Sequence, residues 1–232
     1  MEALSVIFSI GPFAITRTVV TTWGILLVLG SGCWLATRRL SVEQPGMMQS
    51  ALEGVVQAID SAIATVLAER STLLLPFVGT LWIFVAVANL IGLIPGLHAP
   101  TGDLSTTMAL AVLVFLSVHW YGIRSAGLRA YLRHYLLPSP VLLPFHILGE
   151  FSRTLALAVR LFGNIMSLEM AALLVLLVAG LLVPVPVLML HVIEALVQAY
   201  IFGMLVLIYI AGGMQSQAEQ TSTHSNKEGN KP

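Results

Sequence analysis

Long stretches of apolar residues dominate this chain, and short polar segments separate them. Five stretches approach or exceed the about 20 residues that a helix needs to cross roughly 30 Å of hydrocarbon. They lie near residues 18–37, 73–94, 106–123, 154–183 and 186–212. This pattern predicts an all-α integral membrane protein with five membrane-crossing helices.

A segment of a different kind, residues 46–69, follows the first stretch. Its polar face carries Glu53, Gln57 and Asp60. Its apolar residues recur on the opposite face at helical spacing: Leu52, Val55, Val56, Ile59, Ile63, Val66 and Leu67. An amphipathic helix of this kind lies along the membrane interface and does not cross it.

The last two stretches are longer than a simple crossing requires. The 29 residues from Thr154 to Leu182 form a helix of roughly 43 Å at about 1.5 Å per residue. Such a helix must tilt steeply or bend. Because Pro184 and Pro186 leave room only for a tight turn, we expect the last two helices to form a long, steeply tilted antiparallel hairpin.

Basic residues flanking the stretches predict the orientation of the chain. They fall on one side of a five-span arrangement: Arg38, Arg39, Arg70, Arg124, Arg129, Arg133, Lys227 and Lys231. Basic loops are typically cytoplasmic, so the N-terminus is predicted outside and the C-terminus inside. The domain organisation is then an extracytoplasmic N-terminus (1–17), one membrane domain (18–212) and a polar, disordered cytoplasmic tail (213–232).

Composition agrees with a membrane protein. Hydrophobic residues make up 57% of the chain and charged residues only 9%, and the mean hydropathy is +0.92. Eleven basic and eleven acidic residues cancel, which gives no indication of nucleic-acid binding. The start of the chain resembles neither a cleavable signal peptide nor an organellar leader, which favours a multi-pass protein of the bacterial inner membrane.

Two ionisable residues lie within the fourth apolar stretch, in the segment EFSRTLALAVRLFGNIMSLEM. An ionised Arg160 or Glu169 inside a membrane helix costs from about 3 to more than 10 kcal/mol, so each needs a partner or a function. Helical geometry places Arg153, Arg160 and Asn164 on one face and Glu169 on the opposite one. We therefore expect Arg160 to face a carboxylate of another protein.

The fifth stretch carries a polar stripe. His191, Glu194 and Gln198 are spaced by three and four residues and share one helix face. They can hold water or pass protons, although hydrogen bonding between helices, worth about 1 kcal/mol per bond, is an alternative role for each. We expect Glu169 to meet this stripe across a water-filled gap. His119 stands alone on its helix and is expected to be a packing histidine.

Motifs of soluble enzymes are missing from the sequence, including a Walker lysine motif, paired cysteines, zinc-spaced histidines and a nucleophile elbow. We expect no cofactor, no metal site and no enzymatic activity of the chain on its own. Two other classes of function compete with an ion channel. A secondary transporter usually shows paired repeats, which the chain lacks, and a purely structural subunit does not explain Arg160 beside the polar stripe.

Several motifs resemble the a-subunit family of bacterial F-type (rotary) ATP synthases. They are RLFGN at 160–164 followed by Glu169, and His191 followed by QAYIF at 198–202. The resemblance extends upstream through QPGMMQSALE at 44–53, ANLIGLIPG at 88–96 and PTGDLSTTMALAV at 100–112. It therefore covers the chain from about residue 40 to residue 212.

This resemblance implies roles for individual residues. Arg160 matches the essential stator arginine, Asn164 the polar residue one turn on, and Glu169, His191 and Gln198 the access-channel residues, with Glu194 added from the stripe. Candidate channel-lining positions are Asn89 and Asp103 on the outer side and His146 and Glu150 on the cytoplasmic side. Gly92 departs from the family pattern, because some members have an aspartate there.

The resemblance also implies a mechanism and partners. A ring of c subunits brings a carboxylate past Arg160, whose charge favours the ionised carboxylate and so releases its ion. The ion reaches and leaves the ring through two half-channels, while ATP chemistry takes place elsewhere. The implied partners are the c-ring, the b subunit of the peripheral stalk and the lipid bilayer. The transported ion is H+ or Na+, and His191 favours protons.

Overall fold

A computed structural model describes residues 6–10, 13–38, 46–94, 97–128, 131, 143–179 and 184–228. Its elements are β1 (Val6–Ile10), β2 (Phe13–Thr16), α1 (Arg17–Thr37), α2 (Met47–Val66), α3 (Ser71–Ile91), α4 (Leu104–Ala126), α5 (Leu143–Ala179) and α6 (Pro184–Glu228). Short 3-10 turns at Ala68–Arg70 and Pro100–Gly102 precede α3 and α4.

The predicted all-helical membrane domain is confirmed. Within the described ranges, five helices are long and apolar enough to cross a membrane: α1, α3, α4, α5 and α6. Their apolar portions are Arg17–Thr37, Ser71–Ile91, Leu104–Ser125, Pro144–Val178 and Pro186–Met214. These portions coincide with the five apolar stretches of the sequence, apart from the start of α5.

Strands β1 and β2 form a short antiparallel hairpin directly before α1, which the sequence analysis did not predict. Val6 pairs with Thr16 and Ile10 pairs with Phe13. The Gly11–Pro12 pair between the strands is a turn signal. The strands have only five and four residues, so a search for apolar stretches of helix length does not detect them.

Helix α5 begins at Leu143, eleven residues before the start predicted at 154. Pro144 lies in its first turn, where a missing backbone N–H breaks no helical hydrogen bond. Polar residues at 146, 150 and 153 interrupt the apolar run there. The apolar stretch identified in the sequence therefore began only at residue 154, whereas Arg153 lies well inside α5.

The end of α6 also differs from the prediction. The helix continues to Glu228, through most of the segment 213–232 that the sequence analysis assigned to a disordered tail. No proline or glycine occurs from residue 214 to residue 228, so nothing in the local sequence breaks the helix. High polarity alone was a poor indicator of where the helix ends.

Helix α2 has the amphipathic character predicted for segment 46–69. Ile59 and Ile63 are buried and the helix packs on α3. Apolar residues nearer its start, including Leu52 and Val55, remain exposed. Its location along the membrane interface stays a prediction.

Helix α6 is at the centre of the fold and packs against α3, α4 and α5. Only residues 180–183 separate α5 from α6, and because the two helices are in contact they form the predicted antiparallel hairpin. Helix α1 lies at the edge, with Ile25 as its one buried residue. The steep tilt of the hairpin stays a prediction.

The closest contact in this core joins α3 and α6. A Cβ atom added to Gly203 would lie 2.5 Å from Cδ2 of Trp82 and 2.9 Å from its Cγ. These atoms are near the base of the indole side chain, which is itself buried and tilted against Tyr200 at 5.4 Å between ring centroids. The glycine therefore allows α6 to approach the Trp82 ring.

We expect the substitution Gly203→Ala to destabilise the protein by about 1–3 kcal/mol, because the buried Trp82 ring cannot move aside without leaving its packing position. Thermal unfolding of the detergent-solubilised protein should show a lowered Tm. Gly24→Ala on α1 is the matched control, since a Cβ there meets nothing within 4 Å. Equal Tm values for the two variants would contradict the prediction.

Candidate functional site

Arg160 lies in the middle of α5 with its side chain exposed on the surface of the chain. Leu157 and Leu161, which flank it on the inward face of α5, are buried. Among the described residues, no side chain forms a hydrogen bond or salt bridge with Arg160. The guanidinium therefore points away from the helix bundle, toward whatever covers this surface.

Asn164 and Gln198 join the two helices of the hairpin one turn beyond Arg160. The amide nitrogen Nδ2 of Asn164 donates a hydrogen bond to Oε1 of Gln198 at 2.6 Å. Gln198 is buried, whereas Asn164 is partly exposed. The structure thus brings together two of the residues that the sequence analysis selected on separate helices.

Asn89 extends this polar contact to α3 and to the segment that precedes α4. Its Nδ2 donates to the backbone oxygen of Ala195 at 3.3 Å, and its Oδ1 accepts a hydrogen bond from Oγ1 of Thr101 at 2.7 Å. Asn89 and Thr101 are both buried. Ala195 and Gln198 both belong to α6. We refer to these hydrogen bonds between α3, α5 and α6 together as the polar path.

Glu169 lies at the end of this polar path, against the segment 97–102. Its Oε1 accepts a hydrogen bond from the backbone N–H of Ala99 at 3.1 Å, and its Oε2 lies 4.0 Å from Nδ1 of His98. The carboxylate is 23% exposed. A Cβ atom at Gly92 or Gly102 would lie only 3.4 or 3.3 Å from its oxygens. The glycine at position 92 therefore leaves space for the Glu169 carboxylate.

Glu169 thus contacts the 97–102 segment, whereas the water-filled gap predicted between Glu169 and the stripe on α6 stays a prediction. His191 is buried, and its Nε2 has no hydrogen-bond partner among the described residues. An unpaired buried nitrogen costs about 1–3 kcal/mol unless water reaches it, so the environment of His191 favours a hydrated pocket. Glu194 is partly exposed on the same helix.

Asp103 has a structural role in addition to its predicted position on the outer side. It is the N-cap of α4, and its Oδ1 accepts hydrogen bonds from the backbone N–H and the hydroxyl of Ser105, both at 3.0 Å. An aspartate in this position stabilises the start of a helix. Its side-chain hydrogen bonds go to Ser105 and not to Glu169 or Asn89, so it is described apart from the polar path.

A second polar region lies at the other end of α5. Here α4, α5 and α6 enclose a cavity of about 220 Å³. Its lining includes both residues predicted for the cytoplasmic side, His146 and Glu150, together with Arg153. Arg153 lies over the ring of Tyr209, with its guanidinium carbon 5.6 Å from the ring centroid.

His119 belongs to this cavity, although the sequence analysis expected a packing histidine. Its Nε2 lies 3.3 Å from Oε2 of Glu150. The two residues come from α4 and α5 and are 31 positions apart in the chain. Local periodicity contains no signal for such a contact, because it depends on how α4 and α5 pack together.

The two polar regions lie on opposite sides of Arg160 along α5. The cavity reaches Leu157, about one helical turn before Arg160. The outer polar path begins at Asn164, about one turn after it. Between them, the inward face of α5 carries the buried Leu161. The chain thus holds two separate polar compartments with an exposed arginine between them.

Comparison with known proteins agrees with these observations. A family model described as ATP synthase A chain matches residues 19–211. ATP synthase subunit a 2 of Pelobacter propionicus is 65% identical over 216 residues, which cover 93% of this chain and 94% of the relative.

Two further bacterial relatives show a similar extent of identity. ATP synthase subunit a 1 of Hahella chejuensis is 64% identical, with 94% of this chain and 92% of the relative covered. ATP synthase subunit a of Legionella pneumophila is 59% identical, with coverages of 90% and 91%. These matches span the helices that hold both polar compartments, and the chain belongs to the ATP synthase A chain family.

Proposed function

We propose that this chain is the stator subunit that conducts ions in a rotary ATP synthase, with Arg160 coupling transmembrane proton flow to rotation of the c-ring. The exposed Arg160 in the middle of α5 supports this proposal most directly. A permanent charge at membrane depth needs a counter-charge. Since the described part of the chain offers none, a carboxylate of the ring is the expected partner.

The surface around Arg160 suits a closely packed helix of such a ring. Ala156, Gly163 and Ser167 lie on the same face of α5 as Arg160, since positions 156, 160, 163 and 167 follow one another at spacings of three and four residues. Small residues of this kind allow a neighbouring helix to approach within membrane proteins. An added Cβ at Gly163 would meet nothing within 4 Å in this chain, so space for a partner exists there.

The two polar compartments are the proposed half-channels. The outer one consists of Glu169, Asn89, Asn164 and Gln198. His191 and Glu194, which lie on α6 as Gln198 does, also belong to it. The inner one is the cavity that His146 and Glu150 line. Because each compartment stops about one turn from Arg160, an ion can pass from one to the other only by travelling on the ring, which prevents a direct leak.

Within the complex, the proposed partners are the c-ring and the b subunit of the peripheral stalk, and the apolar outer surface of α1 contacts lipid. The chain itself carries out no ATP chemistry. Protons are the proposed ion, because imidazole, carboxylate and amide groups that bind water line the path. The proposed location is the bacterial inner membrane with the N-terminus outside and the C-terminus in the cytoplasm.

Replacing Arg160 with alanine should abolish ATP-driven proton pumping while the complex still assembles, since the ring carboxylate then has no charge that favours release of its proton. Arg160→Lys should fail as well, because a compact ammonium lacks the extended guanidinium. Pumping is measured with purified complexes in vesicles that contain a pH-sensitive dye. Near wild-type pumping by Arg160→Ala would refute the proposed function.

The hydrogen bond between Asn164 and Gln198 should appear as a coupling in a double-mutant cycle. Asn164→Ala and Gln198→Ala should each slow proton pumping, because each leaves the other amide unpaired beside the path. The double variant should lose little more than the slower single variant, since both changes remove the same interaction. Losses that multiply would show that the two residues act independently.

The proposed orientation is tested by labelling single cysteines in intact cells with a membrane-impermeant maleimide. Leu97 and Leu128 are exposed near opposite ends of the helix bundle. Leu97→Cys should be labelled from outside, whereas Leu128→Cys should react only after the membrane is opened. Cys33 is exposed on α1 and is first replaced by serine. The reverse labelling pattern would overturn the orientation.

A further inference from the structure

The contact between His119 and Glu150 is a polar feature of the inner cavity. The family resemblance assigned no role to this contact. The side chains are 28% and 20% exposed, so both are largely shielded but still reach the cavity. His119 is also held by aromatic rings. The centroid of Phe115 lies 4.3 Å from that of the imidazole, and the centroid of Tyr131 lies 5.9 Å from it.

Both ring nitrogens of His119 face groups that can exchange or accept a hydrogen. Nδ1 lies 2.9 Å from the backbone oxygen of Phe115, which can only accept, so Nδ1 is the nitrogen that carries a hydrogen in the neutral ring. Nε2 lies 3.3 Å from a carboxylate oxygen of Glu150. This distance is short enough for a proton to pass between the imidazole and the carboxylate, directly or through one water molecule.

We propose that the His119–Glu150 pair is the proton-transfer site of the inner half-channel. The inference rests on the proposed function and deepens it by naming the groups that carry the proton on this side. In the proposed step, the imidazole Nε2 or the Glu150 carboxylate takes a proton from a water molecule and later returns one to water, and no other bond changes.

The position of the pair along α5 fits this role. Glu150 lies ten residues before Arg160, a rise of roughly 15 Å along a helix. The cavity of about 220 Å³ extends from the pair to Leu157 and has room for several water molecules at about 30 Å³ each. Water in this cavity can carry a proton between the pair and the surface near Arg160.

Other titratable groups face the same cavity and bear on its pH dependence. They are Tyr131, His146, Arg153 and Tyr209. His146 is a second imidazole at this cavity, so a His146→Gln variant separates its contribution from that of His119.

The test uses the whole ATP synthase complex reconstituted in vesicles, with ATP-driven proton pumping measured while the pH of either side is varied alone. His119→Gln and Glu150→Gln should each slow pumping by at least about tenfold, as expected for loss of a proton-transfer group. They should also alter the response to cytoplasmic-side pH and leave the response to pH on the other side unchanged. The exchanged pair, His119→Glu with Glu150→His, should recover most of the rate.

Trp120→Phe is the matched control, because Trp120 adjoins His119 on α4 and is exposed away from the cavity. It should pump like the wild type. Wild-type rates and pH responses in His119→Gln would overturn the proposal, as would an equal change in the response to both sides. Arg160→Ala is measured in parallel. If it is inactive while His119→Gln is normal, this inference fails and the proposed function stands.

A labelling measurement tests the proposal even if the His119 and Glu150 variants do not assemble. Thr154 lines the cavity one turn from Glu150, and Thr154→Cys in a Cys33→Ser background is a small change. An impermeant maleimide should label this cysteine from the cytoplasmic side of assembled complexes. Absence of labelling, or labelling only from the opposite side, would show that the cavity is not an inner water-filled path and would overturn the proposal.

Discussion

The structure is organised around a charge that cannot be neutralised within the described part of the chain. Arginine side chains are charged in proteins, and the nearest neighbours of Arg160 in the sequence, from residue 155 to residue 162, are all apolar. Because an isolated ion in hydrocarbon is strongly unfavourable, the surface of α5 has to be covered by a partner that brings an opposite charge. The small residues at 156, 163 and 167 and the outward direction of the guanidinium both follow from that requirement.

Asn89 and Asn164 differ from Arg160, because their hydrogen-bond partners belong to the chain itself. Asn89 is satisfied by Thr101 and Ala195, and Asn164 by Gln198. These side chains hold position because α6 packs tightly in the centre, where Gly203 accepts the Trp82 ring. Packing of apolar residues therefore fixes the geometry of the polar path, whereas Arg160 faces outward from the described helices.

Sequence periodicity predicted the features that depend on one helix at a time. The five spans, the outward Arg160 and the division of faces between Arg160 and Glu169 all follow from hydropathy and helical geometry. It failed where distant segments meet. Glu169 binds Ala99 and His119 meets Glu150 because α4 and the segment before it fold against α5. The early start of α5 was missed because its polar residues line a cavity and do not mark a loop.

The two polar compartments differ in the group that lies beside each carboxylate, and this difference has a chemical consequence. On the outer side, the backbone N–H of Ala99 donates to Glu169, and an amide cannot exchange its proton with a carboxylate at useful rates. Glu169 must therefore exchange protons with water or with His98. On the inner side, Glu150 faces an imidazole that can take the proton itself. The outer carboxylate is thus held by a donor that keeps its hydrogen, whereas the inner carboxylate lies 3.3 Å from an imidazole nitrogen.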